Sequence, residues 1–224
     1  MMIGGFQKLS LLNYPDKTAC VIFTTGCNFH CPFCYNSGIV NGDESIDPET
    51  VFQYLQKRKG IIDGVCVTGG EPLIHQDIIP FLQEIKQIGY SIKLDTNGSN
   101  PETLQKILTQ NIIDYIAMDV KNSFEKYAKT SGIQNLKTDL IQQSIEIIRS
   151  SGVPYEFRTT VVREFHSQRD IEETGRYLQG STIWYLQPFM DTTEVFQRGL
   201  HSPTSEEMKE YRSIGNKYVK TMVR

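Results

Sequence analysis

Six short runs rich in β-branched and aromatic residues alternate along the chain with amphipathic helical patterns, and few folds accommodate that alternation. The runs cover residues 18–25, 64–68, 91–96, 115–120, 155–162 and 183–188. Two helices between them have recognisable starts: Asp47-Pro48-Glu49 and Asn100-Pro101-Glu102 each place an N-cap residue before a proline at the first helical position. Further helical patterns span 78–88, 136–150, 169–178 and 205–214, and the stripe Ile141, Ile145, Ile148 reads as a core face. Repeated strand-helix units imply a parallel sheet wound in one hand. Six strands are too few to close the eight-stranded barrel, so the expected architecture is α/β, a partial, open (β/α)6 TIM-like barrel, in preference to a doubly wound sheet.

At 224 residues the chain holds one sizeable core. It has no Pro/Gly/Ser-rich linker or low-complexity tract, so a single domain over 1–224 is expected, with a core at about 18–190 and a C-terminal helical extension at about 196–224. That tail is expected either to cover the barrel bottom or to dock a partner. The formal net charge of -3 gives no electrostatic case for nucleic acid. No apolar stretch approaches the length of a bilayer span, and no charged-then-apolar leader opens the chain, so no membrane association and a cytoplasmic location are expected.

In either α/β architecture ligands gather at the C-terminal ends of the strands. The unusual polar residues fall there. Thr68-Gly69-Gly70-Glu71-Pro72 follows the second run, Asp95-Thr96-Asn97-Gly98 closes the third, and Asp119-Val120-Lys121 closes the fourth. Arg158 lies within the fifth run and Gln187-Pro188-Phe189 ends the sixth. Each alone reads as a turn or a solvated pair; their shared topological position is the stronger signal.

After the first run comes Gly26-Cys27-Asn28-Phe29-His30-Cys31-Pro32-Phe33-Cys34-Tyr35, three thiols in one short loop. Cys thiolates normally hold one iron each in Fe-S clusters, so a triplet without a fourth partner points to a 4Fe-4S cluster with one iron left for an outside ligand. A structural zinc site would need four ligands, and His30 is the one nearby candidate to complete it. A disulfide framework is disfavoured by the odd total of five cysteines. Cys20 and Cys66 sit in apolar runs and are expected to serve packing only.

Taken together, Cys27-x-x-x-Cys31-x-Phe33-Cys34, Gly69-Gly70-Glu71-Pro72, Asp95-Thr96-Asn97-Gly98 and Asp119-x-Lys121 resemble the radical S-adenosylmethionine (SAM) enzymes. Within that superfamily the chain resembles glycyl-radical-enzyme activases of the anaerobic ribonucleotide reductase type. The opening from Gly5 to Lys17 is similar to the lead-in of one branch of those activases, and the likeness runs from about residue 3 to near Phe189. The resemblance implies the radical SAM form of the partial barrel. It also implies a 4Fe-4S cluster on Cys27, Cys31 and Cys34, and SAM chelated to the open iron and reductively cleaved to a 5'-deoxyadenosyl radical.

By the same resemblance, the turn Gly69, Gly70, Glu71, Pro72 meets the SAM amino group, with Glu71 as an acceptor or as a brace of the loop. Lys121 and Arg158 meet its carboxylate or ribose, and Phe33 lies beside the adenine. Asp95, Asn97 and Gln187 complete the cofactor-binding set. Two carboxylates at adjacent strand ends repel unless something positive lies between them. A monovalent cation held by Asp95, Thr96 and Asp119 is therefore expected by resemblance, with Lys121 as the alternative source of charge. The implied partners are a glycyl-radical enzyme, anaerobic ribonucleotide reductase foremost, and a flavodoxin or ferredoxin as electron donor. The alternatives are a small-molecule radical SAM enzyme such as 7-carboxy-7-deazaguanine synthase and, outside catalysis, a zinc-stabilised binding module.

Overall fold

A computed structural model describes residues 2–42, 45–192 and 194–224. All six expected runs are strands in it, and one more strand joins each edge of their sheet. The strands β1 (Ile3–Ser10), β2 (Ala19–Thr24), β3 (Gly64–Gly69), β4 (Ser91–Thr96), β5 (Tyr115–Asp119), β6 (Tyr155–Val161), β7 (Trp184–Pro188) and β8 (Thr221–Val223) lie side by side in chain order. From β2 to β8 every neighbour is parallel, whereas β1 runs antiparallel to β2. The outermost strands do not pair with each other, so the sheet is an open partial barrel.

Among the described residues eight α-helices accompany these strands: α1 (Ser37–Val40), α2 (Pro48–Arg58), α3 (Ile78–Ile88), α4 (Pro101–Thr109), α5 (Tyr127–Ser131), α6 (Thr138–Ser150), α7 (Gln168–Tyr177) and α8 (Ser205–Gly215). Both proline-led starts are built as the sequence implies. Asp47 accepts from the Glu49 amide at 3.0 Å, and Asn100 accepts from the Thr103 amide at 3.1 Å, so each satisfies an orphan donor of the first turn. Helix α7 opens instead on a capping box between Ser167 and Asp170.

Strand periodicity sorts residues onto two faces. The outward face carries Ile22, Val65, Val67, Ile92, Leu94 and Phe157, all inaccessible, and joins one core with helix residues that include Ile141, Ile145 and Ile148. The inward face is polar. Lys93, Asp95, Asp119 and Arg158 bond to one another there, and Glu156 is fully buried. Cys66 belongs to this inward face, which corrects its reading as a plain packing residue. Val65 and Val67 take the apolar side, leaving the Cys66 Sγ 3.8 Å from Asp95 Oδ1. Tyr14 is buried at the N-terminal ends of the strands, with its ring against Gly64 and 6.0 Å from that of Tyr115.

The tail departs from the expected helical extension, because after α8 the chain turns and adds β8 in parallel beside β7. Three residues are too short a run to announce a strand. Beyond β8, Arg224 forms a bidentate pair with Glu156, with both bonds at 3.0 Å, and lies 3.7 Å over the Tyr185 ring. Arg224→Ala would strand the buried Glu156 carboxylate with Tyr115 Oη as its remaining donor. The expected loss in urea denaturation is at the low end of the about 3–5 kcal/mol of a broken buried pair, because Arg224 itself is 39% exposed. Adding Glu156→Gln should recover part of it.

Candidate active site

The cysteine loop leaves β2 through Gly26, whose φ of 75° is the left-handed conformation that favours glycine. Within it the Cys34 amide donates to the Cys31 carbonyl at 3.0 Å, and the Phe29 amide approaches Cys27 Sγ at 3.3 Å. All five cysteines are free thiols, so no disulfide competes for them. Cys27, Cys31 and Cys34 line a single cavity of about 470 Å³, within the range of ligand pockets. Yet among the described residues no three His, Cys, Asp or Glu side chains converge on a point where one ion could sit. A cluster takes one cysteine per iron, so three thiols around one cavity match its ligand count, whereas a structural tetrahedral zinc needs a fourth ligand. Burial pushes the Cys27 thiol up to about 12, against the Phe29 amide that favours its thiolate, and pushes Cys31 up to about 11. Both are therefore neutral thiols until a metal deprotonates them.

The Gly69-Gly70-Glu71-Pro72 turn grips the start of this loop. The Gly70 amide donates to Thr24 O at 2.8 Å and the Glu71 amide to Gly26 O at 2.9 Å. A Cβ on Gly70 would lie 2.6 Å from the Gly26 carbonyl carbon, so no side chain fits there. Gly69 and Gly70 line the cavity; Glu71 and Pro72 stand behind it. Glu71 is turned into the fold and fully buried, with the contacts of a brace. Its Oε1 accepts from the Leu73 amide at 3.0 Å and Thr96 Oγ1 at 2.8 Å, and its Oε2 accepts from the Asn97 amide at 2.6 Å. Burial raises its pKa to about 7 in spite of those donors.

Where a cation was expected between the aspartates, the protein's own positive charges pair with both. Arg158 bridges them, with Nε 2.8 Å from Asp119 Oδ1 and NH1 3.0 Å from Asp95 Oδ2. Lys93 pairs with the other oxygen of Asp95, and Lys121 Nζ lies 2.9 Å from Asp119 Oδ2. Each carboxylate thus has two cationic partners, and the Thr96 hydroxyl is committed to Glu71 and to the Gly98 amide. Lys121, the alternative named from sequence, supplies part of the charge, but the bridge itself is Arg158. Burial pushes both aspartates up, yet Arg158 with Lys93 or Lys121 outweighs it and holds them below the usual carboxylate range.

The remaining expected residues also reach the cavity. Phe33, 3% exposed, packs toward Phe165 at a ring separation of 5.9 Å, and Gln187 lines the wall. Asn97 Nδ2 donates to Asn28 Oδ1 at 3.0 Å and lies 3.9 Å from Cys27 Sγ, which ties the end of β4 to the cysteine loop. Sequence reasoning missed Thr160, Tyr35 and Arg224, all of which line the cavity. Thr160 was accessible through strand alternation, two residues beyond Arg158 on the same face. Tyr35 accepts from the Met190 amide at 2.8 Å and stacks on Phe189, a long-range pairing with no local signature.

An open parallel barrel with a three-cysteine loop after its first parallel strand, and with a charged network at the neighbouring strand ends, defines a cluster-binding α/β enzyme class. The chain belongs to the radical SAM superfamily, whose family model matches residues 21–178, and this is a family of enzymes that uses a 4Fe-4S cluster and SAM. A protein of Methanocaldococcus jannaschii provisionally assigned as a glycyl-radical enzyme activating enzyme is 29% identical over 231 residues, covering 99% of this chain and 95% of that protein. The 7-carboxy-7-deazaguanine synthase of Koribacter versatilis is 27% identical over 151 residues, covering 66% of this chain and 62% of that protein. The fold is shared with a radical SAM methyltransferase from Sphaerobacter thermophilus at a TM-score of 0.77 and 16% identity, over 96% of this chain and 68% of that one.

Two outcomes follow for stability. Glu71→Ala would leave the Leu73 and Asn97 amides and the Thr96 hydroxyl without their buried acceptor, and thermal denaturation should show a loss of about 1–3 kcal/mol. For Asp95 and Asp119 the native pKa lies below the unfolded value of about 4, so the unfolded chain binds more protons in that window. The network's contribution is then present at neutral pH and lost as pH falls below about 4. Asp119→Asn should lower stability at pH 7 by about 2–3 kcal/mol, less than the about 3–5 of a fully buried broken pair because Asp119 is 30% exposed. Denaturant titrations across pH should also show a shallower acid limb in the variant.

Proposed function

We propose that this radical SAM enzyme is a glycyl-radical-enzyme activating enzyme. Its hydrogen donor would be the Cα of a backbone glycine in a large partner enzyme, with anaerobic ribonucleotide reductase as the partner and a flavodoxin or ferredoxin as electron donor. The observation that carries the reading is the end-to-end match to the provisionally assigned activase, against a match to the deazaguanine synthase that spans only 66% of the chain. The open seam between the edge strands agrees with it, since a glycine presented by another protein needs lateral access. A radical on glycine Cα is stabilised by the flanking amides, and the segment that carries it must be ordered at the site on binding.

In this reading Cys27, Cys31 and Cys34 hold the cluster. When bound, the cluster and SAM supply a 5'-deoxyadenosyl radical, made with one electron from the external donor. The chain's own part is to bind and orient. Gly69 and Gly70 present backbone to the SAM amino group, Phe33 flanks the adenine, and Asn97 and Gln187 offer hydrogen bonds from the wall. Arg158 and Lys121 favour the SAM carboxylate or ribose while Asp95 and Asp119 hold them in place.

The test is anaerobic. Reconstituted, reduced protein with SAM and anaerobic ribonucleotide reductase should yield a glycyl EPR doublet and 5'-deoxyadenosine in matching amounts. Abundant 5'-deoxyadenosine from a deazapurine precursor, with no protein partner present, would instead assign the enzyme to the small-molecule class. Cys27→Ala, Cys31→Ala and Cys34→Ala should each abolish SAM cleavage, whereas Cys20→Ala, buried on the outward face, should retain it.

A further inference from the structure

The cysteine loop has a second grip, on a part of the chain that none of the motifs includes. Helix α5 ends at Gly132, which has a φ of 72° and donates its amide to the Ala128 carbonyl. A Cβ at Gly132 would lie 2.7 Å from the carbonyl carbon of His30 and 3.1 Å from its Cβ, and would overlap its carbonyl oxygen. One residue earlier, the Ser131 carbonyl accepts from the His30 amide at 2.8 Å. His30 immediately precedes Cys31. Its ring is held as well, stacked on Phe196 at 4.8 Å with the planes 16° apart, and the next residue but one, Pro32, accepts from the Gln197 amide at 2.9 Å.

The support behind this contact is firm. Tyr127, Thr130 and Ser131 are inaccessible, and Tyr127 Oη lies 3.4 Å from the Asp119 carbonyl at the end of β5. Gly70 therefore fixes the loop at Gly26 and Gly132 fixes it at His30, so the backbone on either side of Cys27 and up to Cys31 is set by contacts that involve no metal. A ligand loop ordered beforehand gives up less conformational entropy when the metal group is inserted.

We propose that the Ser131-Gly132 step is a positioning element for Cys31, holding the cysteine loop in register in the cluster-free chain. The proposal rests on the reading of Cys27, Cys31 and Cys34 as cluster ligands. It assigns Gly132 a double requirement: the left-handed backbone and the empty space at its Cα.

Gly152 makes the control, because its φ of 74° is equally unfavourable to alanine but no atom lies within 4 Å of a Cβ there. Gly132→Ala and Gly152→Ala carry the same backbone strain, and only the first presses on His30. After anaerobic reconstitution, iron and acid-labile sulfide per chain are measured, together with the rate of iron loss to a chelator at a temperature where both variants are folded. Gly132→Ala should lose iron about 10–100-fold faster than wild type, the usual effect of disturbing a supporting contact of a metal ligand. Gly152→Ala should behave as wild type. Equal retention in the two variants would overturn the proposal. Should Gly132→Ala fail to fold, hydrogen exchange in the cluster-free wild type decides. A His30 amide protected as strongly as the α5 amides supports the backstop, and one that exchanges freely while α5 stays protected overturns it. Full iron retention in Cys31→Ala would separately overturn the ligand assignment beneath it.

Discussion

The close approach of Gly70 to Gly26 is the constraint on which the rest of the site depends. Two backbones meet where no side chain fits, and the Glu71 amide closes the contact by bonding to the Gly26 carbonyl. The buried Glu71 carboxylate then reaches across to Thr96 and Asn97, so the ends of β3 and β4 and the root of the cysteine loop become one hydrogen-bonded unit. Asn97 completes the circuit through Asn28. A carboxylate buried this deeply is tolerated because three donors converge on it, which is the condition for a polar group inside a fold. The cysteine loop is irregular, yet it is anchored to regular elements, the arrangement by which a rigid scaffold places reactive groups.

Below that unit the barrel interior is filled with charge, not with the branched apolar layers of a closed barrel. Lys93, Asp95, Arg158, Asp119 and Lys121 form a continuous chain of ion pairs from β4 to Lys121, two residues beyond the end of β5, and Glu156 with Arg224 forms a second group deeper in β6. Buried pairs of this kind add little net stability over an apolar filling, but breaking one is costly. Their value is geometric. They hold cationic groups at the cavity wall in fixed positions, and a polar ligand meets dipoles and charges that need no reorganisation.

The fold was legible wherever a strand ended in a functional residue. Asp95, Asp119, Gly69 and the cysteines marked the C-terminal ends of strands that the β-branched runs had located, and the proline-led helix starts were built as their residue types imply. The elements that escaped lacked those markers. Strand β1 carries two glycines and three exposed positions in eight residues, and β8 has three residues in all, so neither has the pattern of a half-buried strand. The Asp95 and Asp119 pair was legible as a charge problem but not in its solution. Arg158 solves it because β5 and β6 pair Asp119 with Arg158 in register, and register between distant strands is not written in either strand alone.

Eight strands are the number that closes a parallel barrel, and this sheet of eight stays open. The physical reason lies at its edges. Strand β1 enters antiparallel, and β8 offers only three residues for a partner to pair with. Toward the N-terminal ends of the parallel strands these edge strands carry apolar side chains that the core does not cover: Leu9 is 55% exposed near the end of β1 and Met222 is 39% exposed in β8. A closed barrel would admit only what fits through its mouth. An open one exposes the side of its lumen, where Gln187 and Arg224 line the same cavity as the three cysteines. Under the proposed activity that difference matters, since a glycine within another protein's chain enters with chain on both sides of it, and an unclosed wall leaves more room for both flanks than a closed one.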